Sequence, residues 1–209
     1  MNTHSTSVSP ILCIAGQNAL AVQGLQAAVT RYPQAQVYCV PTPADQGVDT
    51  WQPSLRKKAA ELGVKCISLE QAYALQPLVF ISLQFTQIIK TAKFASARLY
   101  NLHFSKLPHY KGVYPAVHPI LNGETQAGVT LHVMDDGIDT GDIIAQSTLE
   151  IAFTDTARDL YLKQAALALT LLETHLDAMV TGPMRGYAAT CRWRIVLQQN
   201  LDRLWPCAV

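Results

Sequence analysis

Between Tyr100 and Gly112 the chain reads YNLHFSKLPHYKG, and Asn101 and His103 stand two positions apart within it. A neutral imidazole can take and return a proton near pH 7. An asparagine amide offers an N–H that stabilises a developing oxyanion without itself titrating. On a strand, residues i and i+2 share a face, so the two side chains should point the same way. A third group must orient the imidazole or manage its protons. The loop MDDGIDTGDI supplies four carboxylates, Asp135, Asp136, Asp139 and Asp142, and spacing leaves open which of them serves. Plainer readings exist for the same residues: a strand-end histidine bonded to a carbonyl, and a solvated acidic turn. A calcium loop is disfavoured, because the twelve-residue pattern and its terminal glutamate are missing. Ser105 lacks a G-x-S-x-G setting. His109, His118, His132 and His175 lack metal-ligand spacing and read as structural or exposed.

The elements that must position this chemistry alternate. ILCIAG (11–16), AQVYCV (35–40), VKCISL (64–69), LVFISLQF (78–85) and RLYNLHF (98–104) read as short apolar strands. Pro77 suits the start of the fourth. Helices are expected over 18–32 and 54–63, the second stopped by Gly63. This alternation predicts an α/β fold: a Rossmann-like open sheet, mostly parallel, with helices on both faces. In such sheets ligands bind beyond the carboxyl ends of strands, where Asn101 and His103 fall. Beyond them come a short helical segment (116–123), two strands (127–135 and 141–151) and a long helix over 156–181. Thr156 and Asp159 resemble a capping box, and Gly182-Pro183 stops the helix. The tail from 184 reads as a strand then a helix.

Sixteen basic and fifteen acidic residues leave a net charge of +1, which argues against a broad nucleic-acid or anionic-membrane footprint. No apolar run approaches the length of a membrane span. The polar N-terminus MNTHSTSVSP lacks the features of a secretory signal. The five cysteines, at 13, 39, 66, 191 and 207, contain no C-x-x-C and read as reduced thiols of a cytoplasmic protein.

Taken together, NLHFSKLPHYKG and NGETQAGVTLHVMDDGIDTGDIIAQ resemble the folate-dependent formyltransferases, through Asn-x-His-x-Ser-x-Leu-Pro followed by an Asp-x-Gly-type loop. The resemblance is specific over about 78–151. It implies formyl transfer from 10-formyltetrahydrofolate to a primary amine, with no metal. By that resemblance Asn101 is the oxyanion donor, His103 the acid–base group and Asp139 the aspartate. Leu107-Pro108 matches a bond that is typically cis in this family. Leu83, Gln84, Phe85, Gln87 and Ile89, with Gly137 and Ile138, are implied to contact the pterin.

The version LHFSKLPHYKGVYP looks most like the nucleotide-sugar N-formyltransferases. That implies a nucleotide-linked amino-dideoxy sugar as acceptor, dTDP-linked by preference, in surface polysaccharide (O-antigen) synthesis. Ser105, Tyr110, Lys111, Gly112 and Tyr114 are the implied substrate contacts. The charge of +1 speaks against tRNA. Two alternatives stay open: a glycinamide ribonucleotide-type formyltransferase, and a non-catalytic Rossmann-like nucleotide-binding module. The expected organisation is a catalytic domain over 1–182 and a C-terminal extension over 183–209, which in nucleotide-sugar relatives often serves nucleotide binding or dimer contacts. A homodimer is left open.

Overall fold

A computed structural model describes residues 10–76, 78–188 and 195–196 of the 209-residue chain. Pro77, Cys191, Cys207 and nearly all of the expected tail elements lie outside the described residues. The chain divides into two compact units, residues 1–99 with 176–183, and residues 100–175 with 184–209.

The first unit carries β1 (Ile11–Gly16), α1 (Asn18–Arg31), β2 (Gln36–Pro41), α2 (Leu55–Glu61), β3 (Lys65–Cys66), α3 (Leu69–Tyr73) and β4 (Leu78–Leu83). Its strands run in the order β3-β2-β1-β4, and the β1–β2, β1–β4 and β2–β3 pairs are parallel. Parallel strands covered on both faces should be apolar throughout rather than alternating. LVFISL obeys this, with all six residues of β4 buried. Helix α1 packs Leu20, Leu25 and Ala28 into the same core.

The third strand is much shorter than the expected 64–69. Ser68 accepts from the Gln71 N–H, and the Gln71 side chain accepts from the Ser68 N–H. This capping box starts a helix where the apolar pattern implied continued strand, because it satisfies two donors that an α-helix N-terminus leaves orphaned.

The second unit holds β5 (Leu99–His103, with Leu99 itself in the first unit), β6 (Lys111–Gly112), α4 (His118–Leu121), β7 (Gln126–Val133), β8 (Ile143–Glu150), most of α5 (Ala157–Thr181) and β9 (Ile195–Val196). Strands β5, β7 and β8 follow one another in antiparallel pairs, and β6 pairs with β9 in parallel. The capping box expected at the start of α5 is present: the Asp159 N–H donates to Thr156 Oγ1 at 3.3 Å, and the Thr156 N–H to Asp159 Oδ2 at 2.9 Å.

A buried polar clamp shapes the connection after β5. Thr130 Oγ1 donates to the Ser105 carbonyl (2.7 Å) and accepts from the Leu107 N–H (3.1 Å). The Gln146 amide donates to the Leu107 carbonyl (2.7 Å) and to Thr130 Oγ1 (2.9 Å). The Gln164 amide, fully buried, donates to the carbonyls of Phe104 and Gly128. Buried backbone groups outside a sheet ladder need such partners. The Leu107–Pro108 bond is cis.

Candidate active site

Strand period puts Asn101 and His103 on one face at the end of β5, and the loop between β7 and β8 brings one carboxylate to both. Asn101 Nδ2 donates to Asp139 Oδ1 at 3.2 Å. His103 Nδ1 lies 3.4 Å from Asp139 Oδ2. The Gly112 N–H donates to the same Oδ2 at 2.8 Å. His103 Nε2 donates to the Tyr110 carbonyl at 2.7 Å. Both ring nitrogens of His103 thus face oxygen acceptors. The side chains of His103 and Asp139 are only 7% and 11% exposed, so their attraction is weakly screened by solvent.

The choice among the four aspartates follows from how the loop closes. Asp135 Oδ1 accepts from the Gly137 N–H (3.1 Å) and from Thr140 Oγ1 (2.7 Å), so this carboxylate is used to tie the turn. Asp136 and Asp142 are exposed. Asp139 adopts φ +50°, a left-handed conformation that aspartate tolerates better than most residues. Gly141 lets the loop return tightly, since a Cβ there would fall 1.9 Å from the Val133 carbonyl oxygen. Burial by itself would raise the Asp139 pKa. The facing His103 charge, the His132 ring and the Gly112 N–H outweigh it and hold the carboxyl well below its ordinary value of 3.8.

His132 also belongs to this cluster, and of the two readings expected for it, structural or exposed, exposure is excluded. It is 2% exposed and pairs with Asn101 across β5 and β7. His132 Nδ1 donates to the Val133 carbonyl at 2.8 Å. That leaves Nε2 between Asn101 Nδ2 at 3.0 Å, from which it accepts when the ring is neutral, and Asp139 Oδ1 at 3.5 Å, to which it donates when the ring is protonated. The two amide hydrogens of Asn101 are therefore directed at His132 and Asp139, which fixes the amide's orientation. Only strand register brings His132 here, and a lone histidine in GVTLHVM carries no local sign of it.

The other expected contacts divide. Ser105 Oγ donates to the His109 carbonyl at 2.5 Å and is buried. Lys111 is buried in β6, while Gly112, at φ +93°, serves through its N–H. Tyr110 reaches His103 through its carbonyl. Its hydroxyl donates to Glu124 and accepts from the Asn122 amide at 2.7 Å, and its ring stacks on His118 at 5.6 Å. Tyr114 is half exposed. In the other unit, Leu83 is fully buried and its carbonyl accepts from the Gln17 N–H at 3.2 Å. Gln84, at φ +60°, turns the chain out of β4, and the following segment is irregular, with Gln87 and Ile88 exposed. Gly137 and Ile138 are exposed in the β7–β8 loop. Among the described residues, no group of three or more His, Cys, Asp or Glu side chains is arranged to hold a metal ion, and no helix is long and apolar enough to cross a membrane.

Comparison with known proteins covers this whole region. Residues 13–175 match the family described as Formyl transferase. An N-formyltransferase from Helicobacter canadensis, solved with folinic acid and dTDP-3-aminofucose, is 43% identical, with a TM-score of 0.82 over 85% of this chain and 66% of its own. WlaRD, a sugar 3N-formyltransferase solved in the presence of dTDP and 5-N-formyl-THF, is 40% identical, with a TM-score of 0.84 over 88% of this chain and 68% of its own. Methionyl-tRNA formyltransferase from Sorangium cellulosum is 30% identical over 181 residues, 81% of this chain and 58% of that protein. The chain spans 27% of the length of the methionyl-tRNA formyltransferase from Myxococcus xanthus and 59% of the one from Halorhodospira halophila.

Proposed function

This chain belongs to the formyl transferase family, and we propose that it moves a formyl group from 10-formyltetrahydrofolate to the primary amine of a nucleotide-linked amino sugar. The observation that carries this reading is the largely buried contact set that Asn101 and His103, on β5, make with Asp139 of the β7–β8 loop. The amine attacks the formyl carbon, and the carbonyl oxygen becomes an oxyanion. His103, flanked by acceptors on both nitrogens, supplies positive charge to it. Asn101 supplies one of the amide hydrogens now directed at His132 and Asp139. As the C–N10 bond breaks, N10 gains a proton and the attacking nitrogen loses one, so the exchange balances without an external acid. Asp139 holds His103 and relays that proton, directly or through one water. Together such donors act where charge develops in the transition state.

The folate is a substrate here. The irregular segment after Leu83, exposed at Gln87 and Ile88, suits the donor–acceptor edge of a pterin, and Gln84, Phe85, Gln87 and Ile89 are its proposed contacts. By the family resemblance Gly137 and Ile138 are proposed as folate contacts as well. For the acceptor, identities of 40–43% over 85–88% of this chain to the two sugar-linked structures support a nucleotide sugar, since methionyl-tRNA enzymes reach 40% only over 41–49% of the chain and 30–33% over 81–82% of it. Ser105, Tyr110, Lys111, Gly112 and Tyr114 are the proposed residues on that side, Gly112 and Tyr110 acting through their backbone. We place the reaction in surface polysaccharide synthesis in the cytoplasm, within a catalytic domain over 1–182.

The test is mass spectrometry of a panel of acceptors incubated with 10-formyltetrahydrofolate: dTDP-, GDP- and UDP-linked amino sugars, glycinamide ribonucleotide and methionyl-tRNA. Gain of one formyl group on a dTDP-linked amino sugar is expected. Formylation confined to methionyl-tRNA or glycinamide ribonucleotide would overturn the acceptor. No transfer to any of them would overturn the reaction.

A further inference from the structure

Two of the cysteines meet in the first unit, well apart in sequence. Cys39 on β2 and Cys66 on β3 are Cα partners in the parallel pairing, and their sulfurs lie 3.3 Å apart. Adjacent strands run about 4.8 Å apart, which falls within the roughly 4.4–6.8 Å Cα separation that a disulfide spans. Closing the sulfurs to a bond of about 2.0 Å needs only small side-chain rotations from this position. Cys13 is no competitor. Its register partner on β2 is Tyr38, while Ile14 stands beside Cys39, so side-chain alternation turns Cys13 to the opposite face.

The two thiols differ in access. Cys39 is fully buried. Cys66 is partly exposed and lines a cavity of about 560 Å³, together with Arg56, Ser68 and Gln87, at the carboxyl ends of β2 and β3. A cavity of that size admits a small oxidant easily. We propose that Cys39 and Cys66 form an oxidative modification site, in which a hydroperoxide entering the cavity converts the dithiol to a disulfide. The step balances as follows. The Cys66 sulfur attacks the peroxide O–O bond and is oxidised to a sulfenic acid, releasing water or an alcohol. The Cys39 thiol then displaces the sulfenic hydroxyl, forming the S–S bond and releasing water. Two thiols are oxidised and one peroxide is reduced. Burial, with the neighbouring Cys66 sulfur, pushes the Cys39 thiol up, so Cys39 is the poorer first attacker and the accessible Cys66 is the sulfur that meets the peroxide. The bond would lock the end of the short strand β3 to β2, beside the cavity.

The full chain, freed of reductant, is treated with hydrogen peroxide, blocked with N-ethylmaleimide, digested and mapped by mass spectrometry. A cross-linked peptide pair joining Cys39 to Cys66 is expected to accumulate and to disappear with dithiothreitol. It should persist in Cys13→Ser and vanish in Cys66→Ser. In Cys39→Ser, Cys66 should stall as a sulfenic acid captured by dimedone. The proposal is overturned if Cys66 advances to sulfinic acid while Cys39 stays alkylatable. It is equally overturned if both thiols survive peroxide that oxidises free cysteine, or if the cross-link joins other cysteines. The wild-type map decides these outcomes without relying on any variant's fold.

Discussion

Asp45 in the first unit and Asp139 in the second are both carboxylates held below their ordinary pKa, yet their surroundings differ in kind. Asp45 Oδ1 accepts from the Gly47 N–H (2.9 Å) and from Ser54 Oγ (2.5 Å), and its Oδ2 accepts from the Arg56 N–H (3.0 Å). None of those donors titrates near neutral pH. They tie a loop to the start of α2, whose cap is Ser54. Asp139 also takes one backbone N–H, but the rest of its shell is an amide and two imidazoles. A depressed carboxylate is therefore not by itself a mark of function. What separates the two is whether the partners can move a proton or reach a substrate.

The contrast can be broken experimentally. Asp139→Asn should lower formyl transfer by roughly a thousandfold while the protein stays folded, and Asp45→Asn should leave turnover nearly unchanged. Similar losses in both variants, read as kcat, would erase the distinction. Next in size, Asn101→Ala should cost about 10²–10³ in kcat, the usual effect of losing one oxyanion donor. An unaltered kcat would remove Asn101 from the transition state. Asp45 shows itself in stability instead. Asp45→Ala should destabilise by about 1–2 kcal/mol, since it strips a helix-start network of its acceptor, which urea titration would read as a lower midpoint at constant slope.

The smallest effect is in pH. Each carboxyl has a folded pKa below its ordinary 3.8, so each contributes stability that is fully present above about pH 5. That contribution is lost as pH falls through 3.8 toward the folded values. Melting curves between pH 6 and 3 should therefore fall less steeply in Asp45→Asn than in the unsubstituted chain. An identical slope would show that Asp45 gains nothing from its shell.

Much of this was readable from the chain. The strand ILCIAG, the helices around 18–32 and 156–181, the capping box at Thr156 and the shared face of Asn101 and His103 all follow from short-range periodicity and capping. The third strand stops at Cys66, short of its apolar run, because the Ser68–Gln71 capping box starts a helix there. Within DDGIDTGD, the family resemblance pointed to Asp139, whereas the residues alone left four carboxylates equal. Loop closure distinguishes them, with Asp135 bound into the turn and Asp139 turned inward by its left-handed backbone.

What the sequence determined by itself was therefore local: which segments are helix or strand, and which neighbours share a face, since those depend on repeats of two and 3.6 residues. The tertiary structure alone decided the non-local pairings. His132 reaches Asn101, and Cys66 reaches Cys39, only through the register between strands far apart in sequence. Register is set by how whole strands bury their side chains together, and no single stretch of the chain contains that information.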